Sequence, residues 1–287
     1  MERVKILEQK NLIIPRPERL KETLAAIQKE GADKFHVLAD FDRTLTKAFV
    51  NGEKSSSVIA QIRNSNYLGT DYNTKAHALF DKYSPFEHNT SLPFADRSKI
   101  LREWWNEHHA LMIASGLTEK ILDEVVAKKT LQFRDGALDF IGALAGKNIP
   151  LIIMSAGSGD IIAKYLAQEN RLTPNVHVVA NKYKFDGQGR MIGVEEPVIH
   201  SLNKHEITLD GLPLFDQIKN RRNVMLLGDS VDDLGMIEGF DYDHLLKIGF
   251  LNEPNEAREK EFRERFDMIV SHDDNMNEVN NIIRTIN

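Results

Sequence analysis

Asp40 and Asp42 stand two residues apart at the end of a short apolar run, Phe35-His-Val-Leu-Ala39. A run this short, rich in branched residues and stopped abruptly by acids, reads as a buried parallel strand of an α/β protein. In open α/β sheets ligands sit beyond the carboxyl ends of the strands, so the two carboxylates fall where chemistry usually happens. Two carboxylates so close repel each other and raise one pKa unless a cation neutralises them. Mg²⁺ is suited to that task, since it takes carboxylate oxygens and leaves room for phosphate. An acidic turn after a strand is also ordinary loop chemistry. The reading therefore depends on what else the chain supplies.

Three further segments supply it. Leu151-Ile-Ile-Met-Ser155-Ala-Gly-Ser-Gly159 is a second apolar run, ending in a hydroxyl and small residues before a helical pattern. Exposed backbone N–H groups and a Ser hydroxyl at such a junction form an anion site. Asn223-Val-Met-Leu-Leu-Gly-Asp229-Ser-Val-Asp-Asp233 is a third run ending in carboxylates, and Asn203-Lys204-His205 between them offers an ammonium suited to phosphate. An acidic metal pocket, a hydroxyl with amide donors and a lysine fit phosphoryl transfer better than any other reaction class.

The order DxDxT, Ser after a strand, Lys, then GDSxxD resembles the haloacid dehalogenase superfamily of phosphohydrolases. The segments LADFDRTLT, MSAGSGD, HSLNKHE, LLGDSVDDLGM and LKIGFLNE are similar to those of the cytosolic pyrimidine 5′-nucleotidase family, over nearly the whole chain from Leu7. The resemblance implies a Rossmann-like α/β core, a parallel sheet flanked by helices, with an α-helical cap inserted after the first motif. It implies that Asp40 is the nucleophile and Asp42 the acid–base. Mg²⁺ would be held by the Asp40 carboxylate, the Asp42 carbonyl and Asp229, with Asp233 supporting the metal's waters. Asp232 is adjacent, but the spacing of GDSxxD favours Asp233. Ser155, Ala156, Gly157 and Lys204 would hold the transferring phosphoryl oxygens.

Composition bounds these expectations. The chain has 287 residues, 41% of them hydrophobic, with no cysteine and a net charge of −6. Disulfides and thiolate chemistry are excluded, and the acidic balance argues against a nucleic-acid polymer as partner. No apolar stretch approaches a membrane span, and Met1-Glu-Arg-Val-Lys lacks the apolar stretch of a signal peptide. A cytoplasmic monomer acting on a small molecule is expected.

The elements that must position the site follow from periodicity. Val4 to Lys10 is a short mixed segment. Pro17-Glu-Arg-Leu-Lys opens a helix in which Leu20, Leu24 and Ile27 keep a period near 3.6 before Gly31 stops it. It is expected on the sheet edge. From 48 to 129 no strong strand is expected, only helices over 56–66, 72–83 (Ala76, Leu79 and Phe80 on one face), 96–113 and 118–128. A helical insertion of this kind is a cap that excludes water and carries specificity. The expected division is a catalytic core of 1–48 and 130–287 and a cap of 49–129. Beyond it, a helix over 137–145, strands near 176–180, 183–185 and 191–194, and a turn over 186–189 are expected. That turn reads as hairpin chemistry, since it lacks the helix and GK[ST] of a phosphate loop. A strand over 224–228, a helix over 234–239, a strand over 245–250 and helices over 256–266 and 278–286 complete the pattern.

Within the cap, the resemblance places Glu87 as the carboxylate that accepts from N–H donors of a nucleobase; by itself it reads as a surface acid. Trp104 and Trp105 point about 100° apart on a helix, so one lines the cleft and the other joins the core. Trp105 falls where family members carry an aromatic that stacks on the base. Tryptophan there belongs to the branch that also hydrolyses 7-methylguanosine monophosphate, and a Trp face favours a cationic ring. His108 sits where relatives carry a small hydroxyl residue near the base. The expected activity is Mg²⁺-dependent hydrolysis of nucleoside 5′-monophosphates. A phosphatase of another small monoester such as phosphoserine, a nucleoside phosphotransferase and a catalytically silent scaffold remain alternatives.

Overall fold

The computed structural model describes residues 11–87, 89, 91–204, 214–239 and 241–287; the expected segment from Val4 lies outside them. Leu12–Ile13 (β1) and Pro17–Glu30 (α1) precede Phe35–Ala39 (β2). A small hairpin, Phe49–Val50 (β3) and Glu53–Lys54 (β4), leads into Val58–Arg63 (α2), Gly69–Glu87 (α3), Phe94–Ala114 (α4) and Glu119–Ala127 (α5). Ala137–Gly146 (α6) is followed by Leu151–Ser158 (β5), Gly159–Gln168 (α7), Val176–Asn181 (β6) and the hairpin Tyr183–Phe185 (β7) and Met191–Val194 (β8). Phe215–Ile218 (α8) and Asn223–Gly228 (β9) then lead to a 3₁₀ segment, Val231–Ile237. His244–Leu251 (β10), Glu256–Arg265 (α9), Met268–Ser271 (β11) and Asn277–Thr285 (α10) close the chain.

The main sheet has the order β1-β11-β10-β9-β2-β5-β6, parallel throughout except for β1 against β11. β2 lies inside it and all five of its residues are buried. Val37 and Ala39 face one hydrophobic cluster, while Leu38 faces another with Ile152, Met154, Leu226 and Met236. Burial on both faces is why the strand reads as a continuous apolar run rather than an alternation. The four helices from α2 to α5 lie in sequence between β2 and β5 and add no strand to this sheet.

Several expectations change. α1 begins at Pro17 and buries Leu20, Leu24 and Ile27, but it packs against β10, inside the sheet rather than at its edge. α3 is longer than 72–83 and buries Tyr72, Ala76 and Tyr83; Phe80, expected on the buried face, is exposed. Tyr72 and Tyr83 bury rings against α4 that outweigh the smaller Leu79. The helix expected over 234–239 is the 3₁₀ segment starting at Val231, set early by the Ser230 cap. β11 was not foreseen, because four residues between two helices are too short to carry a pattern. No helix among the described residues is long and apolar enough to cross a membrane.

β2 also carries a buried imidazole. His36 is 1% exposed and its Nδ1 donates to the Arg221 carbonyl at 2.7 Å. Burial lowers its pKa to about 4. Between pH 6.5 and 4 the unfolded chain therefore binds a proton that the folded chain does not, and folding weakens as pH falls. For His36→Leu the unfolding free energy relative to wild type is expected to rise by at most about 1.4 kcal/mol per pH unit across that window. Urea titrations of both proteins at several pH values check it; a pH-independent difference would contradict the buried neutral state.

Candidate active site

Ala39 is level with Ile153 of β5 and Leu227 of β9, and the Asp40 N–H donates to the Leu227 carbonyl at 2.9 Å. Three adjacent parallel strands thus end together, bringing Asp40, Ser155 and Asp229 to one edge of the sheet. This is where an open α/β sheet places its ligand.

After Asp40 the chain turns sharply. Arg43 adopts the left-handed region (φ 62°, ψ 5°), a strain on the order of 1 kcal/mol for a residue with a Cβ. The surroundings hold it there. The Thr46 hydroxyl accepts the Arg43 N–H at 2.8 Å, and the Arg43 carbonyl accepts from Arg134 and from Asn252 Nδ2, the latter at 3.0 Å. Arg134, 1% exposed, also donates to the carbonyls of Thr44 (2.8 Å) and Asp274 (2.7 Å) and to Asn252 Oδ1 (2.8 Å). It pairs with Asp273 at 3.1 Å, whose carboxylate accepts the N–H groups of Ala48 and Phe49. One guanidinium therefore fixes both sides of the turn that carries Asp42. The Asp42 carboxylate accepts the N–H of Val58, the first residue of α2, at 3.0 Å.

Lys204 Nζ lies 2.5 Å from Asp40 Oδ1 and 2.8 Å from Asp233 Oδ1, all three side chains being buried. The other oxygen of Asp233 accepts the Ser230 N–H at 3.0 Å. At Gly228 a Cβ would come within 2.5 Å of the Asp233 Cβ, so the close approach of that acid requires glycine. Asp40, Asp229 and Asp233 each offer an oxygen within 4.8 Å of the others. The Asp42 carboxylate is outside this triad.

The electrostatics follow from the crowding. Burial raises Asp40 well above the usual carboxylate range; Lys204 opposes the shift and Asp233 and Asp229 reinforce it. Burial brings Asp229 to about 7, with Asp233 adding repulsion, and Asp42 to about 6, eased by the Val58 N–H. Burial alone would lower Lys204, but Asp233 and Asp40 hold it above the ordinary lysine value. The pocket is thus short of positive charge. Its oxygen-only donors and unpaid repulsion fit a hard divalent cation.

Opposite the acids, Ser155 is 1% exposed and its Oγ accepts the Gly157 N–H at 3.0 Å. A Cβ on Gly157 would sit 3.2 Å from the Val58 Cβ, so small size here lets α2 close over the loop. Ser155, Ala156 and Gly157 therefore form a tight loop at the end of the strand that neighbours β2.

The cap residues form a second group. Trp105 is half-buried, with ring centroids 5.5 Å from His109 and 6.3 Å from His108. Trp104 packs instead on Phe80 and Tyr83. His108 is buried and shares a hydrogen bond of 3.0 Å with the Tyr72 hydroxyl. Glu87, half-buried, ends α3, and its carbonyl accepts from Arg97 at 3.0 Å.

This sheet, with acids at the ends of two strands and a buried lysine between them, defines a haloacid dehalogenase-type phosphohydrolase fold. The chain belongs to the pyrimidine 5′-nucleotidase family: the family model "Pyrimidine 5′-nucleotidase (UMPH-1)" matches residues 43–287. It is 31% identical to the 7-methylguanosine phosphate-specific 5′-nucleotidase of Mus musculus, covering 99% of this chain and 95% of that protein. It is 31% identical to the putative cytosolic 5′-nucleotidase 3 of Caenorhabditis elegans, over 98% of this chain and 77% of the other. Among solved structures, cytosolic 5′-nucleotidase IIIB bound to cytidine superposes with a TM-score of 0.90 at 26% identity, covering 98% of this chain and 95% of that one. A substrate-bound phosphoserine phosphatase shares the fold at a TM-score of 0.51 and 19% identity, covering 86% of this chain and 96% of that one. The protein is accordingly a 5′-nucleotidase-type phosphomonoester hydrolase.

Sequence reasoning missed Arg134, Asn181 and Asn252. Arginine in FRDG carries no periodicity that marks it as buried, and isolated asparagines look like loop residues. Replacing Arg134 with Met is expected to destabilise the protein by about 3 kcal/mol, because Asp273 and several carbonyls are left buried without their donor. Urea denaturation checks this; a loss indistinguishable from zero would mean that the turn holds itself.

Proposed function

We propose that the protein hydrolyses nucleoside 5′-monophosphates, with Mg²⁺, through an aspartyl-phosphate on Asp40. The observation that carries this reading is the buried Lys204 held between Asp40 and Asp233, together with the Ser155–Gly157 loop. Mg²⁺ would be held by the Asp40 carboxylate, the Asp42 carbonyl and Asp229, with Asp233 behind them, and would neutralise charge on the phosphoryl oxygens. An Asp40 oxygen attacks phosphorus as the bond to the nucleoside 5′-oxygen breaks. Asp42, its pKa raised to about 6 by burial, gives its proton to that leaving oxygen. It then takes a proton from the water that attacks phosphorus and releases Asp40. Lys204, the Ser155 hydroxyl and the N–H of Ala156 hold the transferring oxygens, and the Gly157 N–H, which donates to Ser155 Oγ, orients that hydroxyl toward them.

Residues 49–129 act as the cap over a core of 1–48 and 130–287. Glu87, Trp105 and His108 read the base. The pyrimidine monophosphates CMP and UMP and 7-methylguanosine monophosphate are the candidate substrates. The latter is favoured by Trp105 and by the names of several relatives. The name of the nematode relative supports a cytoplasmic location. Action on a small molecule as a monomer completes the reading.

Phosphate release from CMP, UMP, 7-methylguanosine monophosphate, AMP, GMP and phosphoserine tests it. Turnover is expected on one or more of the first three, lost with a chelator, restored by Mg²⁺, and reduced at least about a thousandfold in Asp40→Asn. Turnover of phosphoserine alone would keep the core chemistry and refute the cap assignment. For Trp105→Ala, loss of a stacking face is expected to raise KM about tenfold or more on the preferred nucleotide. An unchanged KM across the panel would remove Trp105 from the base site.

A further inference from the structure

β5 and β6 pair in register up to Met154 and Val179, and the ladder resumes only at Ser158 and Asn181. Ser155, Ala156 and Gly157 are thereby released from regular pairing with β6. Release has a cost, because a buried carbonyl taken out of a ladder must find another donor. The Ala156 carbonyl finds Asn181, whose Nδ2 donates to it at 2.7 Å. The same Nδ2 donates to the Ile199 carbonyl at 2.7 Å, and Asn181 Oδ1 accepts the Ile199 N–H at 2.8 Å. Asn181 is 1% exposed, with both donor hydrogens and its oxygen engaged.

Ile199 opens the stretch that delivers Lys204. A second buried amide folds that stretch: Asn203 Nδ2 donates to the Val198 carbonyl at 2.9 Å and its Oδ1 accepts the His200 N–H at 2.7 Å. One side chain on β6 thus joins the two arms that face the Asp40 carboxylate. The bond to Ala156 also sets a direction. In a trans peptide the C=O and the following N–H point opposite ways. Fixing the Ala156 carbonyl on Asn181 turns the Gly157 N–H to the other side, where it meets Ser155 Oγ. A rotated peptide would take that N–H away from the Ser155 hydroxyl and leave unoriented the donor that the proposed function gives to the phosphate.

We propose that Asn181 is a positioning residue of the phosphate site, setting the Ala156–Gly157 peptide and the Lys204 loop with one amide. The inference rests on the phosphatase reading of the site. Asn181→Asp keeps size and the acceptor for Ile199 but replaces both donors with an oxygen facing two carbonyls. Asn181→Ser removes the double donor without adding charge, in case the acid does not fold. Asn175 provides the comparison. It is buried between the same two strands at their opposite end, donating to the Ile149 carbonyl at 2.8 Å, and Asn175→Asp imposes a similar fault away from the site.

Binding of inorganic phosphate, measured by calorimetry with Mg²⁺ present, is read beside kcat, KM and melting temperature. Asn181→Asp and Asn181→Ser are expected to weaken phosphate binding about tenfold and kcat/KM about a hundredfold, as for loss of one oriented donor to a phosphoryl-type charge. Asn175→Asp is expected to lower the melting temperature comparably while leaving both within about twofold of wild type. Phosphate affinity unchanged in both Asn181 variants, or reduced equally in Asn175→Asp, would overturn the inference. Because phosphate binding is read without turnover, wild type that binds phosphate but hydrolyses no nucleotide would refute the proposed function alone, and the affinities would still decide the role of Asn181.

Discussion

Negative charge gathered in a buried pocket with too little positive charge to balance it is the constraint on which the structure depends. Asp40, Asp229 and Asp233 converge at the ends of β2 and β9, with Lys204 bridging two of them and Asp42 outside the triad. Burial penalises the charged forms of Asp40, Asp42 and Asp229, and repulsion from Asp233 adds to the penalty on Asp40 and Asp229. Such a cluster persists only if the fold holds it from outside, and it gains most from any ligand that brings positive charge. On the proposed reading, that imbalance is what suits the pocket to a divalent cation.

The outside hold is mostly backbone work. Asp42 sits on a turn that a non-glycine residue enters only under strain, so its position is set by the groups that grip the neighbouring carbonyls. Arg134 does this from the segment before α6 and Asn252 from the residue after β10. Gly228 and Gly157 act by omission, one letting Asp233 approach β9 and the other letting α2 approach β5. Val58 joins these two effects: its N–H meets Asp42 and its side chain meets Gly157. The first helix after the Asp42 turn is therefore fastened to both halves of the candidate site.

This division explains what could be read from the sequence. Strands β2, β5 and β9 were legible because each is an uninterrupted apolar run that ends at its chemical residue, so pattern and motif reinforce each other. α1 was legible from Pro17, three apolar positions and Gly31. What was not legible depends on partners distant in sequence. Arg134 reaches residues about ninety positions upstream and more than a hundred downstream, and nothing local distinguishes it from a surface arginine. Asn181 closes a bulge whose existence requires the register of β6 on β5. The buried face of α3 was misplaced because α4, not the helix's own sequence, decides which aromatic is covered. The candidate site residues are marked by type and spacing; the residues that hold them answer to the tertiary structure and are not.

The imidazoles of His108 and His109 on α4 make an electrostatic contrast to the acidic pocket. Burial lowers His108 to about 3, with His109 and Arg63 opposing its charge further, and lowers His109 to about 4. Both rings are therefore neutral at physiological pH and add aromatic surface beside Trp105 without adding charge. On the nucleotidase reading, a neutral base would meet ring faces and edges there. A methylated, cationic purine would meet no like charge from these histidines and would gain from the negative face of the indole. Selectivity would then arise from two opposed environments, a charged pocket that demands a phosphate with its metal and a neutral aromatic wall that accepts only what can stack.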